Sequence, residues 1–425
     1  MGSTLTEKIL AHASGLDEVA PGDVINARID VAMTHDSLGI LTVKSFEELP
    51  LKKVWDPDRI VVVFDHKVPA TNTLVAESQA TIRRFVREQG IKNFYDVGRG
   101  GICHQVLHER GHVRPGELVV GTDSHTTTHG ALGALAAGIG STEMAGVFAT
   151  GELWFRVPET THVILDGALN EAVMGKDVML HIIGTLGVRC ATYKAVEFSG
   201  PVIHGMSVAG RLSMCNMAAE MGAKNAIVEP DERTMNYLRG RVAGEVPRLE
   251  RDADATYAEE HEVDCDGIEP LVAAPFSPGN VKPVSEVEGT EIDQAFLGSC
   301  TNGRMEDLRA AARILRGRRI SDSVRLVVIP ASQEILSRAA EEGLLEIFLR
   351  AGASVNAPSC GPCAGADKGI LGPKEVCVST TNRNFVGRMG DPTSEVYLAN
   401  PFTVAASAVS GMISDPRPLL RGGVN

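Results

Sequence analysis

The chain has 425 residues, 44% of them hydrophobic, 22% charged and 4% aromatic, with a formal net charge of −13. This length exceeds what one hydrophobic core normally serves, so we expect two or three domains of a globular protein rather than a disordered chain. The acidic balance argues against binding of nucleic acid or a membrane surface, because such binders use Lys and Arg to neutralise phosphates.

Short β-branched runs alternate along the chain with helical patterns. The runs are RIVVVF at 59–64, ELVVG at 117–121, HVILDG at 162–167 and RLVVIPA at 325–331, and the helical patterns include 74–89 and 305–316. Such alternation predicts βαβ units with mainly parallel strands. We therefore predict an α/β fold of three α/β/α sandwich domains, at residues 1–160, 161–280 and 281–425. The second boundary follows a charge-rich stretch and a Pro-rich stretch.

No signal-peptide core is present, and no apolar run reaches the roughly 18 residues of a membrane span. These features predict a soluble, cytoplasmic protein. Its eight cysteines are too sparse for a disulfide framework, so we expect free thiols or metal ligands.

Three segments share one plan, in which a predicted strand ends in a polar, glycine-rich turn. They are DQAFLGSCTNGR at 293–304, ASVNAPSCGPCAG at 353–365 and EVCVSTTNRNFVGR at 375–388. Parallel strands end at one sheet edge, where ligands of α/β proteins bind. We expect 305–316 and 333–350 to be the crossover helices between these strands. One site should then receive Cys300, Cys360, Cys363, Asn382 and Arg383.

The C-x2-C pair with one distant cysteine supplies three thiolates, which suits a [4Fe-4S] cluster that keeps one iron without a protein ligand. Electron-transfer clusters normally carry four cysteines. A zinc site with Cys377 or a histidine as fourth ligand is one alternative, and buried cysteines without a metal are another. The spacing alone leaves all three open. The other five cysteines are predicted to be core residues.

Seven motifs occur in the order found in aconitase-like hydro-lyases. They are FDH (64–66), GICHQ (101–105), GTDSHT (121–126), CNMAAE (215–220), GSCTNGR (298–304), CGPC (360–363) and TTNRNFVGR (380–388). Together they resemble the aconitase superfamily, and within it the large subunits of the 3-isopropylmalate dehydratase and homoaconitase type. The resemblance implies a [4Fe-4S] cluster on Cys300, Cys360 and Cys363, and leaves a zinc-binding hydrolase as a remote alternative.

The resemblance also implies roles for the acid and histidine residues. Dehydrating a hydroxy acid needs a proton donor for the departing hydroxide and stabilisation of developing charge. By resemblance Asp65 with His66 protonates the hydroxyl. His104 with Asp123, and His125 with Glu220, form supporting pairs. A Ser/His/Asp trio in the motif DSH also suggests a hydrolase, but its members are adjacent in sequence and no G-x-S-x-G elbow occurs.

A further set of residues is predicted to bind the substrate. Arg383 and Arg388 are spaced so that both can address one anion, and arginine pairs bidentately with carboxylates. His35 and Thr128 depart from the residues of longer single-chain relatives, which leaves their contacts open. The predicted substrate-binding residues are His35, Ser124, Asn216, Asn382, Arg383 and Arg388.

A partner subunit is implied by the same resemblance. Single-chain aconitases carry the serine base on a fourth domain, which we do not expect in this chain, and split relatives carry it on a small subunit. The expected substrate is 3-isopropylmalate, in leucine biosynthesis, with homoaconitate or citramalate-type acids as the alternative. A nucleic-acid regulator would need a basic cleft, which the acidic composition disfavours.

Overall fold

The computed structural model describes residues 2–421, and within them three sheets and one short antiparallel strand pair organise the chain. None of the helices in this described part combines the length and apolarity that crossing a bilayer requires.

The N-terminal part builds a five-stranded parallel sheet with strand order β4-β3-β2-β5-β6. Its elements are α1 (Leu5–Ser14), β1 (Val24–Arg28), β2 (Val31–His35), α2 (Asp36–Glu47), β3 (Ile60–Val63), α3 (Thr73–Gln89), β4 (Asn93–Tyr95), α4 (Cys103–Glu109), β5 (Leu118–Gly121), a 3₁₀ stretch (Ser124–Leu132), β6 (Leu135–Gly138), α5 (Ser141–Thr150) and β7 (Glu152–Arg156). Ile60 and Val62 enter one core while Val61 and Val63 enter another. Both faces of the sheet are therefore buried, as parallel sheets require.

The middle part builds a four-stranded parallel sheet with strand order β10-β9-β8-β11. Its elements are β8 (Thr160–Asp166), α6 (Gly175–Leu186), β9 (Ala195–Ser199), α7 (Pro201–Gly205), α8 (Val208–Met217), a 3₁₀ turn (Ala218–Met221), β10 (Asn225–Val228), α9 (Glu232–Leu238) and β11 (Glu259–Asp264). Val163 and Phe198 share one core with Phe296 of the next sheet. Packing thus continues from the middle sheet into the third.

The third part builds a seven-stranded sheet with strand order β13-β12-β18-β17-β14-β15-β16. Its elements are β12 (Leu271–Ala273), β13 (Val281–Pro283), α10 (Val284–Val287), β14 (Gln294–Leu297), α11 (Met305–Leu315), β15 (Arg325–Val328), α12 (Gln333–Glu341), α13 (Leu344–Ala351), β16 (Ser354–Val355), a 3₁₀ turn (Gly361–Ala364), β17 (Val376–Ser379), β18 (Glu395–Ala399), α14 (Pro401–Ser410) and α15 (Arg417–Arg421). Strand β12 is antiparallel to both neighbours, and the other pairs are parallel.

The predicted α/β class with mainly parallel sheets is confirmed. One predicted crossover differs in detail, because the stretch 333–350 forms two helices rather than one. Gly343 separates them with φ 72°, a left-handed conformation that ends α12 and that glycine adopts without strain. The domain boundaries near 160 and 280 stay predictions.

Candidate active site

The site lies where loops from the carboxyl ends of the five-stranded and seven-stranded sheets meet. The Cys360 amide donates to the Asp65 carbonyl at 2.8 Å, and the Ile102 amide donates to the Ala331 carbonyl at 2.8 Å. Loops that follow strands β3 and β4 are thereby joined to loops that follow β15 and β16. Two sheet edges that each collect polar side chains face one another, as such α/β sites require.

The Cys300 loop is held by a dense set of hydrogen bonds. Ser299 has φ 71°, in the left-handed region that non-glycine residues rarely adopt. The Gly298 amide donates to Thr380 Oγ1 at 2.9 Å, which ties the ends of β14 and β17 together. The buried Arg304 donates to the carbonyls of Cys300 and Thr301, both at 2.7 Å. These contacts fix the direction of the Cys300 side chain.

Two asparagines direct amide donors at the Cys300 sulfur. Asn216 Nδ2 lies 3.2 Å and Asn382 Nδ2 lies 3.4 Å from Cys300 Sγ. Asn216 also donates to Thr128 Oγ1 at 2.9 Å, and its Oδ1 accepts from Asn382 at 2.9 Å. Thr128, whose contacts the sequence left open, therefore has a structural role: its hydroxyl group accepts a hydrogen bond from Asn216. Two donors on one sulfur favour the thiolate form that a metal centre requires.

The three predicted ligand cysteines are close enough to influence one another. Burial first, and the charge of Cys363 second, raise the pKa of Cys300 to about 12. Burial and the charge of Asp65 raise the pKa of Cys360 well above its usual value, with Cys300 and Cys363 contributing. Thiols in this setting ionise only when a metal supplies compensating positive charge.

The spacing of these sulfur atoms fits a cluster better than a single zinc ion. Zinc holds thiolates at about 2.3 Å in a tetrahedron, which places the sulfurs about 3.8 Å apart. Among residues 2–421, the sulfur atoms of Cys300, Cys360 and Cys363 do not all lie within 4.8 Å of one another. A four-iron cluster spreads its cysteines more widely than one ion does, so the donor set fits that group.

Asp65 and His66 form the shortest of the predicted pairs. His66 Nδ1 donates to Asp65 Oδ1 at 2.6 Å. Burial opposes the charged ring, but Asp65 raises the pKa of His66 to about 10. The ring of His35 stacks on His66 with centroids 4.0 Å apart, and burial together with the His66 charge lowers the pKa of His35 to about 4. At neutral pH His66 is thus an imidazolium and His35 is neutral.

Asp123, His104, His125 and Glu220 form a continuous chain of hydrogen bonds. Asp123 Oδ1 accepts from His104 Nε2 at 3.0 Å and from His125 Nδ1 at 3.2 Å. His125 Nε2 donates to Glu220 Oε1 at 3.0 Å. Both ring nitrogens of His125 face carboxylates, which raises its pKa against the effect of burial. The predicted pairs are thus brought together, with Asp123 shared between two histidines.

The two arginines have different surroundings. Arg383 Nε donates to both oxygens of Glu220, at 2.8 and 3.1 Å. A hydrogen bond to Cys363 helps to raise the pKa of Arg388, while its buried Nε has no partner among the described residues. An unpaired buried donor next to a predicted ligand is suited to an anion, whereas Arg383 is already paired. Ser124 is exposed.

Two residues that the sequence analysis did not select support the site. Asp36 accepts the backbone amides of Asp65, His66 and Lys67 at 3.0, 2.9 and 2.9 Å. Lys176 is fully buried, and its Nζ donates to the carbonyls of Thr380 and Thr381 at 2.9 and 2.6 Å. Both act by holding a loop. The position of Asp36 directly after strand β2 was the available sequence signal.

Asp36 also belongs to a compact group of potential metal ligands, with His35, Asp65 and His66. The Asp36 carboxylate is occupied by three amides, and Asp65 accepts from His66 and from the Cys103 amide at 2.7 Å. These hydrogen bonds explain why the four side chains lie close together without a metal ion.

Residues 7–289 and 282–411 match the Aconitase family (aconitate hydratase), so nearly the whole chain is covered. The chain belongs to the Aconitase family. The fold comparison agrees: the crystal structure of Thermococcus kodakaraensis aconitase X (holo-form) aligns with a TM-score of 0.51 and 12% identity, over 99% of this chain and 96% of that chain.

Within the family, the similar relatives are large subunits. The 3-isopropylmalate dehydratase large subunit 1 of Methanopyrus kandleri is 56% identical over 420 residues, covering 99% of this chain and all of that protein. The probable methanogen homoaconitase large subunit of Methanothermobacter thermautotrophicus is 54% identical over 417 residues, covering 97% of each chain.

Proposed function

We propose that this chain is the large subunit of a hydro-lyase that interconverts 2-isopropylmalate and 3-isopropylmalate by removing and restoring water. The observation that carries the proposal is the meeting of three cysteines with three histidine–carboxylate pairs between two sheet edges. Family membership and the 56% identity to a 3-isopropylmalate dehydratase large subunit support the substrate. The 54% identity to a probable homoaconitase large subunit makes homoaconitate the second candidate.

His66 is the acid that protonates the departing hydroxyl group. Its Nδ1 donates to Asp65, so Nε2 carries the remaining proton, and it lies 3.8 Å from Asp123 Oδ2. Asp65 keeps the ring protonated at neutral pH, and Asp36 holds the backbone of both residues in place. A positioned general acid of this kind contributes about 100-fold to 10,000-fold to a rate.

Cys300, Cys360 and Cys363 are the residues that would hold a [4Fe-4S] cluster. When bound, the cluster supplies a Lewis acid for the hydroxyl and carboxylate oxygens of a hydroxy acid. Asn216 and Asn382 orient the Cys300 sulfur, and Arg388 offers an unpaired donor to a carboxylate of the substrate. His35 accepts the Ser37 amide on Nδ1, which leaves its buried Nε2–H free for a substrate oxygen.

A small subunit is the partner we propose, because both relatives are named as large subunits. It supplies the base that removes the proton next to the carboxylate. Such protons are very weakly acidic, so the base must be placed against a site that stabilises the developing charge. Closing over the cleft would also exclude water.

The test is reconstitution under anaerobic conditions. The chain and its cognate small subunit should isomerise 3-isopropylmalate together and not separately, and a complex that contains His66→Ala should lose this activity. Robust turnover by the verified single chain would contradict the two-subunit proposal. Turnover of homoaconitate alone would keep the mechanism and change the substrate.

A further inference from the structure

Three buried histidines lie next to one another and lead from the site to Tyr237 on helix α9. His104 and His108 are four residues apart on α4, so they share one face of that helix. His129, on the 3₁₀ stretch, lies between them, with ring centroids 5.8 Å from His104 and 6.1 Å from His108. The three side chains are almost fully buried. We call this set, with Tyr237 at its far end, the histidine row.

Four ring nitrogen atoms of the histidine row have no partner among the residues that the structure describes. His104 Nδ1, both ring nitrogens of His129 and His108 Nε2 are buried without a hydrogen bond. Leaving one buried polar group unpaired costs about 1–3 kcal/mol. Four such atoms in one row indicate a polar ligand that pairs with them, since buried polar groups are almost always hydrogen-bonded.

Water fits this row better than a metal ion does. Among the described residues, the ring nitrogens of His104, His108 and His129 do not all lie within 4.8 Å of one another, as ligands of one metal ion would. Burial, and after it neighbouring positive groups that include Arg304, hold the pKa values of His108 and His129 well below the usual value. Neutral imidazoles each offer one donor and one acceptor, and a water that bonds at about 2.8–3.0 Å spans the gaps between such rings.

The row ends at Asp123 of the proposed site on one side and at a solvent-facing cavity on the other. His104 Nε2 donates to Asp123. At the far end His108 Nδ1 pairs with Tyr237 Oη at 2.7 Å. Tyr237 lines a cavity of about 540 Å³ between α4, α9, α11 and α12, whose lining residues Asn236 and Arg309 are exposed.

We propose that the histidine row holds a chain of internal water molecules that connects Asp123 with this cavity, as a route for water and protons behind the substrate. The inference rests on the proposed function, in which one water is formed when the hydroxyl leaves with a proton and one is consumed when the double bond is hydrated. When a partner subunit covers the open face of the site, water and protons can leave only along the histidine row. The imidazole rings of the row supply hydrogen-bond donors and acceptors along this route.

The first test is a crystal structure of the cluster-loaded chain at a resolution that shows ordered water. We expect one water between His104 and His129 and another between His129 and His108. Empty density at both gaps would overturn the proposal, and so would anomalous scattering from a metal. This readout does not depend on the substrate, so it stands even if isopropylmalate turnover is never observed.

The second test compares Tyr237→Phe with Tyr95→Phe in the reconstituted complex. Tyr95 Oη pairs with His112 at 2.6 Å outside the row, so it is a matched Tyr–His control. Tyr237→Phe should lower turnover by about tenfold, the effect of one lost hydrogen bond, and change the solvent isotope effect. Each variant loses one Tyr–His hydrogen bond and can lose some stability, but KM and iron content should stay at wild-type values in both, and Tyr95→Phe should leave turnover and the isotope effect unchanged. Equal turnover and isotope effects in the two variants would refute transport through the row.

Discussion

The most informative single substitution is Asp36→Asn, because Asp36 holds the backbone of the proposed acid loop by three hydrogen bonds and its charge also helps to raise the pKa of His66. Oδ1 accepts the amides of Asp65 and His66, and Oδ2 accepts the amide of Lys67. The asparagine keeps one oxygen for the first two amides and turns its NH₂ group toward the third. One charge-assisted hydrogen bond is lost and two donors face each other in a buried place.

The expected cost follows from these contacts. A hydrogen bond to a charged group contributes about 1.5–3 kcal/mol, so we expect the free energy of unfolding to fall by about 3 kcal/mol. The loop relaxes away from the amide, and a shift of about 1 Å in a catalytic group lowers turnover by about 100-fold. Asp36→Asn should therefore reduce kcat strongly while iron content is retained, because the proposed ligands Cys300, Cys360 and Cys363 lie on other loops.

The assay pairs urea unfolding with turnover, and Asp30→Asn is the control. Asp30 precedes the same strand β2 at its other end, where it accepts the Leu118 amide at 2.9 Å and pairs with Arg59. Asp30→Asn should lower stability without lowering kcat. If Asp36→Asn keeps kcat within about twofold of wild type, the positioning role is wrong, whatever its effect on stability.

Three further predictions follow from other contacts. His66→Ala should lower turnover by about 100-fold or more with iron content unchanged, and near-normal turnover would remove His66 from the mechanism. Lys176→Met leaves the carbonyls of Thr380 and Thr381 unpaired, so the free energy of unfolding should fall by about 3 kcal/mol; an unchanged melting curve would contradict this. Burial raises the pKa of Glu197 from 4.5 to about 7, so the protonated form stabilises the fold and about 3 kcal/mol is lost as pH rises from 4.5 to about 7. Glu197→Gln should remove that pH dependence in unfolding experiments between pH 4 and 8, and an unchanged slope would refute it.

The sequence predicted the strand ends of the site because the pattern is local. Strands β3, β5 and β14 are short apolar runs that stop at polar turns, and side chains after parallel strands must meet at one edge. The three histidine–carboxylate pairs were implied by the resemblance to aconitase-like hydro-lyases. The sequence did not predict that His104 and His125 share Asp123, because this depends on how the His104 side chain on α4 faces the 3₁₀ stretch.

Residues that act through the backbone were harder to foresee. Arg304 and Lys176 donate hydrogen bonds to backbone carbonyl groups. Because every residue has a backbone carbonyl, the sequence does not show which ones are bound. The roles of His129 and His108 could not be foreseen, because only the fold brings their two rings together. The break at Gly343 was missed because the hydrophobic period continues across it.

Iron and acid-labile sulfide measured on the anaerobically purified chain test the central claim most directly. We expect a brown protein with iron and sulfide in equal amounts, and loss of both in Cys300→Ala, Cys360→Ala and Cys363→Ala. Cys265→Ala removes a buried cysteine of the core and should keep wild-type content. Full iron and sulfide in the three ligand variants, or stoichiometric zinc in the wild type, would contradict the account.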